Sequence, residues 1–195
     1  DPNDASRLET LTQWSQQIDL NEDALKETLE LVLNEDVDAE WRLSYVRRLA
    51  RLNQASEESF ERSSELWQEV LLEEEYDEEA LLALDEIYTQ SKDWSRLLDV
   101  LTRLVEVIPQ DSAVSVRVRL GRLLEVIGSD QYSAIEQHRL VLVEDPTNVS
   151  ALEELERLMT EPEHQQQIAE VLAPIYRETQ TFEKLAVLLE LQVSD

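Results

Sequence analysis

The feature that most constrains this 195-residue chain is an internal repeat with a period of 71 residues. Residues 48–52, Arg-Leu-Ala-Arg-Leu, reappear as residues 119–123, Arg-Leu-Gly-Arg-Leu. Residues 77–84 align with residues 148–155 at the same offset, and residues 1–11 align with residues 145–155 at an offset of 144, close to two periods. Two separate columns with one offset indicate a repeated structural unit, so the chain is expected to stack copies of one element.

Helices are the expected secondary structure of each repeat. The chain contains only two Gly and five Pro, whereas a sheet protein of this size needs many more turn residues. Apolar residues recur at intervals of three and four, the period of one helical face, from Leu8 to Ile18, from Leu97 to Ile108 and in further stripes. Residues 114–120 alternate like a strand, but the spacing that follows is helical, so we predict a helix there too.

The repeat length and its small residues resemble tetratricopeptide repeats (TPR). Each period holds four helical stripes, which makes two helix hairpins of about 35 residues. Residues 117–148 match best, with Leu120-Gly121 on a first helix, Ala134 on a second and Pro146 at the end; residues 46–77 form a second copy with Leu49-Ala50, Ser63 and Trp67. Small residues at such positions let neighbouring helices approach closely, while a large residue fills the adjacent gap.

The resemblance implies an all-α fold, a right-handed α-solenoid of stacked antiparallel helix hairpins with about eleven helices. We expect residues 1–195 to form a single TPR-like helical-repeat domain. Residues 1–3 match a turn between repeats, so we also expect the chain to be excised from a longer one. Residues 161–180 depart from the pattern and predict an irregular inserted or capping helix, which Pro174 should kink or break near Leu172.

The charge of the chain limits its partners. With 44 Asp and Glu against 17 Lys and Arg, the formal net charge is −27, which makes nucleic acid and anionic membrane surfaces improbable ligands. Much of this charge lies at junctions between predicted helices, as in residues 73–79, where Asp77 is also placed to cap the next helix. An acidic surface suits a basic partner, but adaptation to a saline environment produces the same composition, and both explanations stay open.

The sequence contains little that points to catalysis. No Cys is present, and His138 and His164 are 26 residues apart without the spacing of a metal site. No Gly-rich loop could hold a phosphate, and His138 falls at an interior repeat position, where a packed core His with satisfied ring nitrogens is expected. We therefore expect neither catalytic residues nor a metal or cofactor, and we do not expect an enzyme.

The resemblance and the charge pattern together predict a non-catalytic scaffold that binds a peptide or partner protein on the superhelix surface. The residues predicted to contact the partner form a recurring cationic stripe: Arg47, Arg48, Arg51, Arg119 and Arg122. These Arg residues could hold carboxylates of a partner bidentately, or pair with Glu and Asp of neighbouring hairpins.

Two other functions remain open at this level, a structural spacer or self-assembly segment of a long repeat protein, and a regulatory region of an enzyme whose catalytic domain lies elsewhere. No apolar run is long enough for a transmembrane helix and no targeting signal is recognisable, so a cytoplasmic location is favoured.

Overall fold

The described part of the protein is entirely helical. A computed structural model describes residues 22–54, 57–127 and 130–193. Within these ranges there are ten α-helices and no β-strand: α1 (Glu22–Leu33), α2 (Ala39–Asn53), α3 (Phe60–Glu73), α4 (Glu78–Ser91), α5 (Trp94–Val107), α6 (Gln110–Val126), α7 (Gln131–Glu144), α8 (Val149–Leu158), α9 (Gln165–Glu178) and α10 (Phe182–Val193). Short 3₁₀ turns at Glu57–Ser59 and Pro162–His164 precede α3 and α9. The helix predicted at Leu8 to Ile18 lies outside the described residues.

The chain divides into two compact units, Asp1–Asp93 and Trp94–Asp195. In unit 1, α2 packs against α1 and α3, and α3 packs against α4. In unit 2, each helix from α5 to α10 packs against the next one along the chain. Packing of sequential neighbours is what a helical repeat requires, because no hairpin can bury its apolar face alone.

Consecutive helices run antiparallel. In unit 1, the Ser63 hydroxyl near the start of α3 donates to the carbonyl of Ala50 near the end of α2, at 2.9 Å. In unit 2, Arg117 in the middle of α6 donates to Gln137 of α7 at 2.8 Å, and Gln110 at the start of α6 hydrogen-bonds Glu144 at the end of α7. Each of these two pairs is therefore a hairpin.

Helices two apart in sequence run parallel within each unit. In unit 1, Arg51 in the last turn of α2 and Gln54 just after it contact Glu79 and Glu86 of α4, in the same order along the two segments. In unit 2, Arg122 and Glu125 of α6 contact Glu154 and Arg157 of α8 in the same way. Antiparallel hairpins stacked in sequence are the TPR-like arrangement, and the predicted all-α, TPR-like helical-repeat fold is confirmed.

Helix α4 in unit 1 and helix α8 in unit 2 begin with the same kind of side-chain N-cap. The Asp77 carboxylate accepts a hydrogen bond from the backbone N–H of Ala80 at 2.7 Å, at the start of α4. Asn148, 71 residues later, accepts one from Ala151 at 3.1 Å, at the start of α8. Such a cap satisfies one of the free N–H groups of the first turn, and the capping role predicted for Asp77 is confirmed.

The predicted small residues are packing positions. Ala50 and Ser63 in the α2–α3 hairpin, and Gly121 and Ala134 in the α6–α7 hairpin, are all buried. Leucine and isoleucine side chains fill the remaining interior: in unit 1 Leu49, Leu66, Leu81, Leu84 and Ile87, and in unit 2 Leu120, Ile135, Leu155, Leu158, Ile168 and Leu172.

Two segments with ambiguous sequences are helical. The strand-like alternation of residues 114–120 lies inside α6, so the prediction of a helix is confirmed. Helix α9 contains Pro174 and continues to Glu178, so of the kink or break expected near Leu172 the break is absent and the kink stays a prediction. In residues 161–180, α9 packs between α8 and α10. The inserted or capping role of this segment, and the single domain over residues 1–195, stay predictions.

Candidate protein-interaction surface

Two of the three predicted arginines of unit 1, Arg47 and Arg51, are engaged with carboxylates at the end of α3 and the start of α4. Arg47 on α2 contacts Asp77 at 2.8 Å and Glu74 at 2.5 Å. Arg51, one turn further, donates from Nε and Nη2 to the two carboxylate oxygens of Glu79, at 2.5 and 2.6 Å. The hydrogen bond to Glu79 raises the pKa of Arg51, as expected for a guanidinium in a bidentate pair.

Arg122, one of the two predicted arginines of unit 2, belongs to a network of four charges. Arg122 on α6 contacts Glu154 on α8 at 2.7 Å, Glu154 also contacts Arg157 at 2.9 Å, and Arg157 reaches back to Glu125 on α6. Burial opposes ionisation of Glu154, but the hydrogen bonds from the two arginines outweigh it and lower the pKa of this carboxyl. The network therefore ties two first helices of neighbouring hairpins together.

The structure thus divides the predicted cationic stripe. Arg47, Arg51 and Arg122 pair with neighbouring hairpins, which is one of the two roles expected for them. Arg48 and Arg119 are half-buried at equivalent positions of α2 and α6. Contact of any of the five with a partner stays a prediction.

Sequence reasoning missed the clefts between the helices, among them one in unit 1 and two in unit 2, one of which, of about 400 Å³, lies between α7 and α9. The first cleft, of about 310 Å³, lies between α2 and α3 and is lined by Ala39, Arg42, Leu43, Val46, Glu69, Glu73 and Glu74. The second cleft, of about 360 Å³, is lined by Val105, Ile108, Gln110, Ala113, Val114, Arg117, Leu140, Val141 and Glu144. Both clefts are lined by apolar and charged side chains together, a mixture that a small recognition site can use.

The two clefts occupy equivalent places in the repeat. The offset of 71 residues maps Ala39 onto Gln110, and it maps six of the seven residues that line the first cleft onto residues that line the second. The repeat period could have shown from the sequence that these positions are equivalent. It could not show that they line a cleft, because the width of a cleft between helices depends on how the helices pack.

His138 is a packing residue of the α6–α7 hairpin. Its side chain is fully buried, and its ring lies so close to Gly121 that an added Cβ there would be 2.6 Å from Nε2. Among the described residues neither ring nitrogen has a hydrogen-bond partner, so the expected packing is confirmed and the expected satisfied ring is wrong. Burial lowers the pKa of His138, because the site disfavours the charged imidazolium.

His164 belongs to a different local contact. Its Nε2 is 2.7 Å from the amide oxygen of Gln131. The rings of Tyr132 and His164 pack edge to face, with 5.0 Å between their centroids. Residues 22–54, 57–127 and 130–193 contain no group of three or more His, Asp or Glu side chains that could hold a metal ion. No helix in the same ranges is long and apolar enough to cross a membrane.

Comparisons with known proteins add little. No family model matches the sequence, and no curated protein matches it. A solved structure described as MamA MSR-1 C2 is similar, with 14% identity over 78% of this chain and 83% of that one and a TM-score of 0.39. A likeness at this level carries no functional inference, so the fold assignment depends on the helix packing described above.

Proposed function

We propose that this chain is a non-catalytic scaffold that binds a peptide or partner protein on the surface of its stacked hairpins. The observation that carries the proposal is the pair of clefts at equivalent positions of two repeats, each lined by apolar and charged side chains together. Because the cleft recurs at the same place of the repeat, each unit by itself offers a partner a point of attachment.

The predicted arginines are part of this proposal. The side chains of Arg51 and Arg122 are 47% and 53% exposed although both are paired, so a carboxylate of a partner can reach either guanidinium. A planar guanidinium carries five N–H donors, so it can donate to a second carboxylate while it stays paired with the first.

Capture of a partner tests the proposal. The tagged chain and an Ala39→Trp/Gln110→Trp variant, which fills both clefts from exposed first-turn positions, are used as bait in lysate of the source cells with mass spectrometry. We expect a protein that the wild-type chain retains and the variant loses. If every captured protein is retained equally by both baits, the clefts are not the binding sites and the proposal fails.

The arginine contribution is tested with a matched control. An Arg51→Glu/Arg122→Glu variant should retain less of the partner, whereas Arg62→Glu, which breaks a comparable exposed pair with Glu30, should not. Circular dichroism establishes that all three proteins keep their helicity. Equal retention by the two arginine variants would remove these residues from the proposed binding surface.

A further inference from the structure

The first cleft differs from the second chiefly in charge. At equivalent positions, Glu69 of the first cleft corresponds to Leu140 of the second, whereas Glu73 corresponds to Glu144. Residues 1–93 as a whole contain 26 Asp and Glu against eight Lys and Arg, while residues 94–195 contain 18 against nine. Most of the negative charge of the chain therefore belongs to the unit that holds the first cleft.

Not all of the charge beside the first cleft is neutralised by the chain itself. Glu69 pairs with Arg42 at 3.0 Å, and Glu74 pairs with Arg47. Within the described ranges, Glu73, Glu75 and Glu78 take part in no ion pair, and all three are exposed. These three carboxylates lie between the last turn of α3 and the first turn of α4.

The end of α3 increases the negative potential at this place. The last turn of α3 contains no basic side chain, and Glu73 and Glu74 stand at its carboxyl end. Carboxylates at this end of a helix are unfavourable, because they add to the partial negative charge of the free carbonyl groups. A positively charged group of a partner would relieve this repulsion. The ligand that suits this surface is therefore cationic.

Apolar surface lies in the same place. Leu43 and Val46 line the first cleft, and Leu72 and Tyr76, on either side of the acidic residues, are 84% and 48% exposed. Lys and Arg side chains combine an apolar stem with a charged head, so they fit a cleft lined by apolar side chains and carboxylates together. A compact metal ion would use the carboxylates and leave the apolar side chains uncovered.

We infer that the first cleft binds a basic segment of a partner protein, in which Lys or Arg alternates with apolar residues. The stems of the basic side chains pack on Leu43, their heads pair with Glu73, Glu75 and Glu78, and the apolar residues between them cover Leu72. This inference depends on the proposed scaffold function and adds the chemistry of the partner. The long-range negative charge of unit 1 would also speed the encounter with such a segment.

The test uses a short fluorescein-labelled peptide in which Arg alternates with Leu, and fluorescence anisotropy at physiological ionic strength. A Glu73→Gln/Glu75→Gln/Glu78→Gln variant should bind it about tenfold more weakly, the combined effect of three exposed charge pairs. The matched control is Glu153→Gln/Glu163→Gln/Glu178→Gln, which removes the same charge from exposed, unpaired carboxylates of unit 2. The control should change the affinity less than about twofold. Equal weakening by both variants would show that only net charge matters and would overturn the inference.

The apolar part of the inference has its own variants. Ala39→Trp fills the first cleft from the exposed first residue of α2 and should weaken binding of the peptide at least about tenfold. Val149→Trp places the same side chain on the exposed first residue of α8 and should leave binding unchanged. A second peptide with Arg alternating with Ser should bind more weakly than the Arg-Leu peptide.

Failure of this inference can be told apart from failure of the scaffold function. If a partner is captured through the clefts but the Arg-Leu peptide does not bind, the scaffold function stands and the basic partner is rejected. If the peptide binds equally well to the Ala39→Trp variant, the first cleft is not its site and the inference is overturned.

Discussion

The two units fill the same packing position with different side chains. In unit 1, the equivalent positions hold Ala50 and Trp67, both buried; in unit 2, they hold Gly121 and His138. The imidazole of His138 lies against the backbone of Gly121, where a Cβ does not fit. The repeat therefore specifies where a small and a large residue meet, whereas each hairpin determines which pair of side chains fits there. If the two pairs are energetically independent, substitutions in one should not affect the other.

The largest difference is expected when the large side chains are removed. Trp67→Ala should lower the free energy of unfolding by about 3–5 kcal/mol, the usual cost of deleting a buried aromatic side chain. His138→Ala should cost at least about 1 kcal/mol less, because the imidazole buries less apolar surface than the indole and leaves two ring nitrogens without a hydrogen-bond partner among the described residues, where Trp67 leaves one. Urea unfolding followed by circular dichroism measures both. Equal losses would mean that the two positions are energetically equivalent.

Gly121→Ala should destabilise unit 2 in the presence of His138. Overpacking costs about 1–3 kcal/mol, and the better helix propensity of Ala returns only about 1 kcal/mol. In a His138→Ala background, the same substitution should instead stabilise, because the added methyl group then has room. The double-mutant cycle of unfolding free energies measures this coupling.

Ala50→Gly in unit 1 is the control for that cycle. It should cost about 1 kcal/mol through the poorer helix propensity of Gly and about 0.8 kcal/mol more through the loss of a buried methyl group, with no dependence on His138. A stabilising effect of Gly121→Ala in the chain that retains His138 would contradict the close contact.

The stability of the protein should fall as the pH decreases from about 7 to 5, in part through His138. Because burial lowers the pKa of the folded imidazole below its ordinary value, the unfolded chain takes up a proton near pH 6.5 that the folded chain does not. Of the charges that act on the ring, Glu154 and Glu125 favour the imidazolium, and Arg122 and Arg157 oppose it. His138→Phe should therefore flatten the pH dependence in this range.

Urea unfolding at pH 7, 6 and 5 compares His138→Phe with the wild-type chain. Trp67→Phe, at the equivalent position of unit 1, is the control and should keep the wild-type slope, because tryptophan does not titrate. If the slopes of all three proteins agree, His138 contributes nothing to the acid sensitivity.

The smallest effects are expected from the ion pairs. A double-mutant cycle on Arg51 and Glu79 should give a coupling of about 0.5 kcal/mol, typical of exposed pairs. Arg122 and Glu154 should couple more strongly, because the side chain of Glu154 is only 15% exposed and is shared with Arg157. Both couplings should shrink at high salt, the Arg51–Glu79 coupling more. A larger coupling in unit 1 would contradict the stronger network assigned to unit 2.

The sequence predicted the periodic features well, because they depend on local properties. Helical spacing, the cap at Asp77 and the small residues Ala50 and Gly121 are properties of neighbouring residues or of one turn, and all appear in the structure as expected. Of the kink or break expected at Pro174, the break is absent, since α9 continues through the proline.

The candidate site was predictable only in part. The arginine columns were visible in the sequence, but their two possible roles, with a partner or with neighbouring hairpins, could not be separated there. The carboxylates that contact Arg47, Arg51 and Arg122 lie 27 to 32 residues away along the chain. Which of many acidic residues comes within reach depends on how the hairpins stack.

The sequence by itself thus determined that the chain is a repeat of helix hairpins, where its helices begin and which positions must be small. Those properties follow from backbone sterics, helical period and capping, which act over a few residues. The tertiary structure alone decided that two equivalent clefts exist, that His138 lies against Gly121, and that Glu73, Glu75 and Glu78 keep unpaired charge beside one of those clefts. These depend on contacts between helices, and the distance and rotation of packed helices are set by all their side chains together.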